Sequence, residues 1–270
     1  MKNTSKYEKY RPKKFLGQNF LTDVNISKKI ISFLEIEEGD TVLEIGPGHG
    51  ALTKLLLNYD INLTAIEIDK FAFEELSLNL EGKVKIIHQD FLKTKLSDFY
   101  NGKKIKVIGN IPYNITSQIL FKLFENYKII SKAVLMMQKE VAHRLKSVPN
   151  TKEYGILSVF TNLYSSPKIV YNVPPGAFFP KPKVDSSVVS MDFKDDIVVL
   201  KNPELFREVV RTSFNQRRKT LRNSLRKLFD EKNIDVNAIK FDLSKRPEML
   251  NIIEFTELTD EIFSGLRIDN

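Results

Sequence analysis

Glu44-Ile45-Gly46-Pro47-Gly48-His49-Gly50 is the stretch on which the fold turns. It closes a run, Thr41–Ile45, that reads as a buried strand, and a helical pattern follows from Leu52 to Leu57. Glycines at alternate positions let the backbone turn sharply and approach a ligand closely. The helix behind them presents unpaired N–H groups at the same place. In an open α/β sheet, ligands bind off the carboxyl ends of the strands. Alone, such a loop serves equally as a dinucleotide site or as a tight turn. Two details favour another ligand. The spacing is Gly-x-Gly-x-Gly, not the Gly-x-Gly-x-x-Gly that receives a pyrophosphate. Glu44, two residues before the first glycine, would face a diphosphate unfavourably and suits a zwitterionic amino-acid cofactor better.

Outward from this loop, strand-like and helix-like segments alternate. Strands are expected at Leu63–Ile68, Val84–His88, Ile105–Gly109 and Ala133–Gln138. Helices are expected near Phe71–Leu80, through Ile119 to Phe124, and over Glu140–Lys146. Ser187–Phe193 alternates like a late strand, antiparallel at the sheet end. Repeated units of this kind imply a mainly parallel sheet covered on both faces. Near residues 194–203 the pattern breaks, and beyond it the periodicity is helical. The expected division is therefore an α/β domain over 1–198, with a basic N-terminal tail, and a small all-helical domain over 199–270.

Three strand ends carry an acid or its neighbour. Glu67 stands 21 residues after Gly46, where an acid can accept hydrogen bonds from ribose hydroxyls. Asp90 can accept from an adenine amino group while Phe91 packs on the ring. Each could singly be an ordinary surface residue. Together with Glu44 at successive strand ends, they point to a nucleoside-containing cofactor.

The fourth strand runs into Asn110-Ile111-Pro112-Tyr113. An exocyclic adenine nitrogen is a poor nucleophile because its lone pair is delocalised into the ring. The Asn110 side-chain oxygen and the Ile111 carbonyl can accept its two N–H bonds and free that lone pair for attack on a sulfonium methyl. Pro112 fixes the backbone, and Tyr113 offers a stacking face. Such work needs orientation and placed dipoles rather than a shifted pKa. Taken alone, the run also fits a turn closing a strand, with Tyr113 in the core. A base inside a duplex cannot reach such a pocket, so the target must be unpaired or flipped out. Phe178 or Phe179, in a loop stiffened by Pro180 and Pro182, could supply a second aromatic wall, the other filling the core.

The net charge is +8. Two segments concentrate it. Residues 1–14 carry six Lys or Arg against Glu8, and residues 205–228 carry eight against Glu208. Localised positive charge is the footprint of a polyanion binder. The absence of Cys excludes disulfides and thiolate chemistry. No run approaches the roughly 20 apolar residues of a membrane span. His49, His88 and His143 show no metal-ligand spacing, so no metal is expected.

These pieces, together with Phe15-Leu16-Gly17-Gln18-Asn19-Phe20-Leu21 and the Phe-x-Pro-x-Pro-Lys-Val-Asp-Ser run from Phe178 to Ser186, resemble the ribosomal RNA adenine N6,N6-dimethyltransferases. The likeness spans nearly the whole chain and is nearest to the small-subunit branch. It implies a Rossmann-like class I methyltransferase fold with a seven-stranded sheet, and S-adenosylmethionine (SAM) as cofactor. It implies that Asn19, Leu21, Gly46, Glu67, Asp90 and Asn110 line the cofactor. Asn110 and Tyr113 would grip the adenine, and Phe178 rather than Phe179 would stack on it. The product it implies is a pair of neighbouring dimethyladenines in a hairpin near the 3′ end of 16S rRNA, made by a cytoplasmic monomer on immature small subunits. The branch that methylates large-subunit RNA in macrolide resistance and a mainly non-catalytic assembly factor are the competing expectations. Arg217, Arg218, Lys219, Arg222 and Arg226 are expected to meet phosphates, with Arg218, Arg222 and Arg226 on one face of a helix and Leu221, Leu225 and Leu228 on another.

Overall fold

The computed structural model describes residues 18–80 and 82–266. The basic segment 1–14 and Phe15-Leu16-Gly17 lie outside the described residues. A short strand β1 (Phe20–Leu21) leads into α1 (Val24–Ser32). The Asp23 carboxylate accepts from the N–H groups of Asn25 and Ile26 and so caps α1. Ile26, Ile30 and Ile31 fall on its buried face, against Val42, Ile108, Val134 and Met136 of the sheet.

The expected strand and helix units follow in order: β2 (Asp40–Ile45), α2 (Thr53–Leu56), β3 (Ile61–Glu67), α3 (Lys70–Asn79), β4 (Lys85–His88), β5 (Ile105–Asn110), α4 (Thr116–Glu125), β6 (Ile130–Gln138) and α5 (Lys139–Leu145); then come α6 (Ile156–Tyr164), β7 (Ser165–Val173) and β8 (Phe178–Phe179), none of them expected, and the expected late strand β9 (Ser186–Phe193). The main sheet has seven strands in the order β4-β3-β2-β5-β6-β9-β7. Its first five strands pair in parallel, and β9 runs antiparallel to both its neighbours. This is the expected Rossmann-like architecture. The continuous burial of β2 reflects a parallel strand covered on both faces.

Two features differ from the sequence expectation. The edge strand β7 carries Pro167 and a register shift between Ile169 and Tyr171. Proline cannot donate to a ladder and is accommodated at an edge, so the stretch hides its strand character. A separate two-stranded ribbon pairs β1 with β8, Phe20 opposite Phe179 and Leu21 opposite Phe178. It joins residues more than 150 positions apart and has no local signature.

The helical elements beyond are α7 (Pro203–Asn215), α8 (Leu221–Ser224), α9 (Arg226–Glu231) and α10 (Ile252–Ser264). The chain forms two compact units: residues to Ala142 with Ser165–Lys194, and His143–Tyr164 with the chain from Asp195 onward. The expected division places 143–164 in the α/β domain, whereas here they group with the helices. The reason is α6, which buries Val159, Phe160 and Leu163 and packs on α7 and α10. Phe160 meets Phe206 edge-on, with ring centroids 5.9 Å apart. No helix among the described residues is long and apolar enough to cross a membrane.

Candidate functional site

Strands β2, β3, β4 and β5 bring their carboxyl ends to one cleft. Asn19, Gly46, Glu67, Asp90, Asn110 and Tyr113 all line it. Leu21 lines an adjoining hollow around the glycine loop. Phe20, Gly46, Gly48 and Asn110 belong to both spaces, so they form one elongated site.

The glycine loop is shaped by contacts that only glycine permits. Gly46 and Gly48 have φ of 63° and 54°. A Cβ at Gly48 would lie 2.9 Å from the Phe20 ring. The Gly48 N–H donates to Glu67 Oε2 at 3.0 Å, and the Asp69 N–H donates to Glu67 Oε1 at 2.8 Å. Glu67 is 4% exposed, and burial raises its pKa against the pull of those two donors. Gln18 donates to the second oxygen of Asp69 at 2.9 Å, tying the segment before β1 to the same corner.

Glu44 is buried, and its Oε2 has no hydrogen-bond partner among the described residues. Burial, with the nearby charge of Glu67 adding to it, pushes its pKa up to about 8. A buried acid with an orphaned oxygen, lining a hollow beside backbone turned by glycine, fits a ligand that brings a positive charge. An amino-acid ammonium meets that need.

Asp90 accepts the Leu92 N–H at 2.9 Å and so caps the turn Phe91–Lys93. That turn places Phe91 in the cleft wall. On the other side, Asn110 Nδ2 donates to the Asn19 carbonyl at 2.7 Å. A carbonyl only accepts, so the amide orientation is fixed and Oδ1 is the acceptor left to other partners. The Ile111 N–H is taken by the Met136 carbonyl at 3.2 Å. Next along the chain, the Tyr113 and Ser186 hydroxyls share a hydrogen bond at 2.6 Å. Burial raises the Tyr113 pKa, so the phenol stays neutral.

Phe178 lies elsewhere than expected for an open aromatic wall. It is 5% exposed, packed with Leu21, Val173, Ala177 and Val188, and it does not line the cleft. Phe179, at 40% exposure, is the outward ring. Alternation in β8 turns adjacent side chains to opposite faces, and pairing with β1 puts Phe178 on the inner one.

The basic residues also divide. Arg217 is an internal latch: Nε donates to Glu248 Oε2 at 2.6 Å, Nη2 to the Thr151 carbonyl at 2.8 Å, and Nη1 to the Lys152 carbonyl. Arg218, Lys219, Arg222 and Arg226 are exposed, while Leu221, Leu225 and Leu228 are buried. The single helix expected here is broken. Residues 216–220 form a turn, so Arg218 precedes the helices that carry Arg222 and Arg226.

Gln18, Phe20 and Ser186 join the site through contacts with no local sequence signature. The runs Gln18-Asn19-Phe20 and Val184-Asp185-Ser186 held them in plain view, but only the fold reveals their partners. His49 Nδ1 contacts Glu75 Oε2 at 2.7 Å, and His88 stacks on Phe73. Among the described residues no group of three or more His, Asp or Glu is placed to hold a metal.

A Rossmann-like sheet with this loop and these strand-end acids defines a SAM-dependent methyltransferase. Comparison with known proteins narrows the class. The chain matches the ribosomal RNA adenine dimethylase family over residues 10–262. It is 43% identical over 256 residues to a ribosomal RNA small subunit methyltransferase A of Francisella tularensis subsp. novicida, covering 93% of this chain and 98% of that one. Among solved structures, a dimethyladenosine transferase from Plasmodium falciparum superposes with a TM-score of 0.76 at 27% identity, covering 91% and 98% of the two chains. The 23S rRNA methyltransferase ErmE superposes at 0.62 and 25% identity, covering 91% and 100%. The chain belongs to the ribosomal RNA adenine dimethylase family.

Proposed function

We propose that the chain methylates N6 of two adjacent adenines in the 3′-terminal hairpin of 16S rRNA, twice each, on immature small subunits, and that it acts as a cytoplasmic monomer. The observation that carries the chemistry is the Asn110 amide. Its Nδ2 is spent on the Asn19 carbonyl, which aims Oδ1 as a fixed acceptor. The small-subunit assignment draws on the higher identity to the Francisella relative than to the 23S enzyme.

Bound SAM supplies an electrophilic methyl on sulfur. The residues of this chain do the rest. Glu67 takes the ribose hydroxyls, Asp90 the cofactor's adenine amino group, and Gly46, Asn19 and Leu21 shape the channel between them. Glu44 faces the ammonium end. In the first transfer Asn110 Oδ1 and the Ile111 carbonyl accept the two N–H bonds of the target amine, and in the second one of them holds the single N–H that remains, drawing the nitrogen toward tetrahedral geometry and exposing its lone pair. Tyr113 stacks on the base. Formation of the N–C bond would break the methyl–sulfur bond, leaving the neutral thioether S-adenosylhomocysteine, and the nitrogen would pass one proton to solvent. Phe178 backs the β1–β8 ribbon, and it joins the stack only once its inner face opens to the base. Arg218, Lys219, Arg222 and Arg226 neutralise phosphates and position the RNA without reading sequence. Arg217 is reserved for the internal latch.

The test is incubation of the purified chain with labelled SAM and either immature small subunits or large-subunit RNA. Label is expected in the small-subunit RNA. Label only in the large-subunit RNA would overturn the assignment.

A further inference from the structure

The segment from Phe179 to Ser186 is anchored to the active-site cleft at both ends. At its start, Phe179 pairs across the ribbon with Phe20, which lines the cleft. At its end, Ser186 bonds the Tyr113 hydroxyl. Six residues, Pro180 to Asp185, connect these anchors and span at most roughly 20 Å. Two of them are prolines, so the connection is stiff as well as short. It is fastened once more where the Lys139 N–H donates to the Asp185 carbonyl at 3.0 Å. Both ends of the segment are thus tied to residues that line the cleft, Phe20 and Tyr113.

The chemistry it presents has a pattern. Pro182 is buried while Lys181 and Lys183 on either side are exposed. The Phe179 ring is 40% exposed beside them. The one acid of the segment, Asp185, faces Lys139 Nζ at 3.9 Å, which offsets its charge. An exposed aromatic followed by two unburied cations, on a segment tied at both ends to cleft-lining residues, matches a single-stranded polyanion with flat bases. Stacking on an aromatic is tolerant of base identity, and the cations follow the backbone.

We infer that Phe179, Lys181 and Lys183 form an RNA-holding rim: Phe179 stacks on a base neighbouring the target adenine, and the two lysines neutralise its flanking phosphates. The inference rests on the rRNA reading above and adds to it a surface distinct from the exposed arginines of the helical unit. It also gives Phe179 a task separate from that of Phe178, whose ring is packed in the core in this structure.

Binding of fluorescently labelled oligoadenylate to the full chain tests the rim without requiring catalysis. Phe179→Ala is expected to weaken binding roughly 5- to 100-fold, and Phe179→Tyr, which keeps the ring face, to stay within about twofold of wild type. Lys181→Ala with Lys183→Ala should reduce the slope of log affinity against log salt by about 0.7 for each phosphate no longer neutralised. SAM affinity should be the same in all variants. Equal weakening by Ala and Tyr would reduce Phe179 to a packing role and overturn the inference, as would an unchanged salt slope. Wild-type oligoadenylate binding with lost binding to ribosomal particles would give the surface to a ribosomal protein instead, which also overturns it. If wild type methylated no small-subunit RNA, the substrate assignment would fall while the oligoadenylate comparison would still decide the rim.

Discussion

The strand-end cleft and the basic segment from Arg217 to Arg226 handle charge in opposite ways. In the cleft, Glu44 and Glu67 are buried acids whose ionisation is opposed by their surroundings. Asn110 and Tyr113 are each held by one named partner. Every group has a fixed direction, so removal of a single atom should be felt. In the basic segment, Arg218, Lys219, Arg222 and Arg226 lie in solvent above buried leucines. On the reading proposed above they share the task of neutralising phosphates, so each can stand in for another. Only Arg217 in that segment has the fixed geometry of the cleft, and it is spent on folding. Direction costs burial and specific partners, while charge density costs little and tolerates substitution.

The sharpest contrast should come from Asn110→Ala. Removing one preorganised polar group of an active site typically costs about 10²–10³ in rate. Single-turnover transfer should fall at least that far while RNA affinity stays nearly intact; equal loss of both would place Asn110 in RNA binding. Glu44→Gln tests the buried acid. A carboxyl whose pKa is raised by folding, here from 4.5 to about 8, favours the folded state while protonated and loses that contribution as pH rises through the interval. The melting temperature of the cofactor-free wild type should therefore drop relative to Glu44→Gln between about pH 5 and 8 and level off above. A gap independent of pH would mean that Glu44 is not held neutral.

Arg217→Ala should lower stability by about 2 kcal/mol, the scale of broken charge-assisted hydrogen bonds, as read by denaturant unfolding. Arg218→Ala, Arg222→Ala and Arg226→Ala together should leave stability unchanged and flatten the salt dependence of RNA binding by about 0.7 per phosphate left without its cation. The reverse pattern would erase the distinction between latch and surface. Ser186→Ala should cut kcat about 2- to 10-fold, with Ser186→Thr restoring it. Adding Tyr113→Phe should cause little further loss, because both changes break the same bond. Additive losses would show that Ser186 acts elsewhere.

Periodicity and glycine spacing disclosed the parallel sheet, the loop after β2 and the acids at successive strand ends, because those signals are local. What stayed hidden was contact through space. The β7 strand was masked by Pro167 and by its edge position. Period-two alternation in Phe178-Phe179 says that one ring faces inward but not which; the ribbon with Phe20-Leu21 decides that. Arg217 reads as one more cation until Glu248 and the carbonyls of Thr151 and Lys152 are seen around it. Ser186 reads as the end of a loop motif, and only the fold sets its hydroxyl on Tyr113. The regrouping of 143–164 with the C-terminal helices follows from the apolar surface of α6, whose partners lie about 50 to 100 residues further on.

In the proposed reaction a weakly nucleophilic adenine amine, gripped by Asn110, receives the methyl group. Nucleoside mass mapping of small-subunit RNA, isolated after treatment with the purified chain and SAM, measures this directly. The expected product is N6,N6-dimethyladenosine at two adjacent positions. Methyl groups found instead on ribose, or on a ring atom of another base, would contradict it.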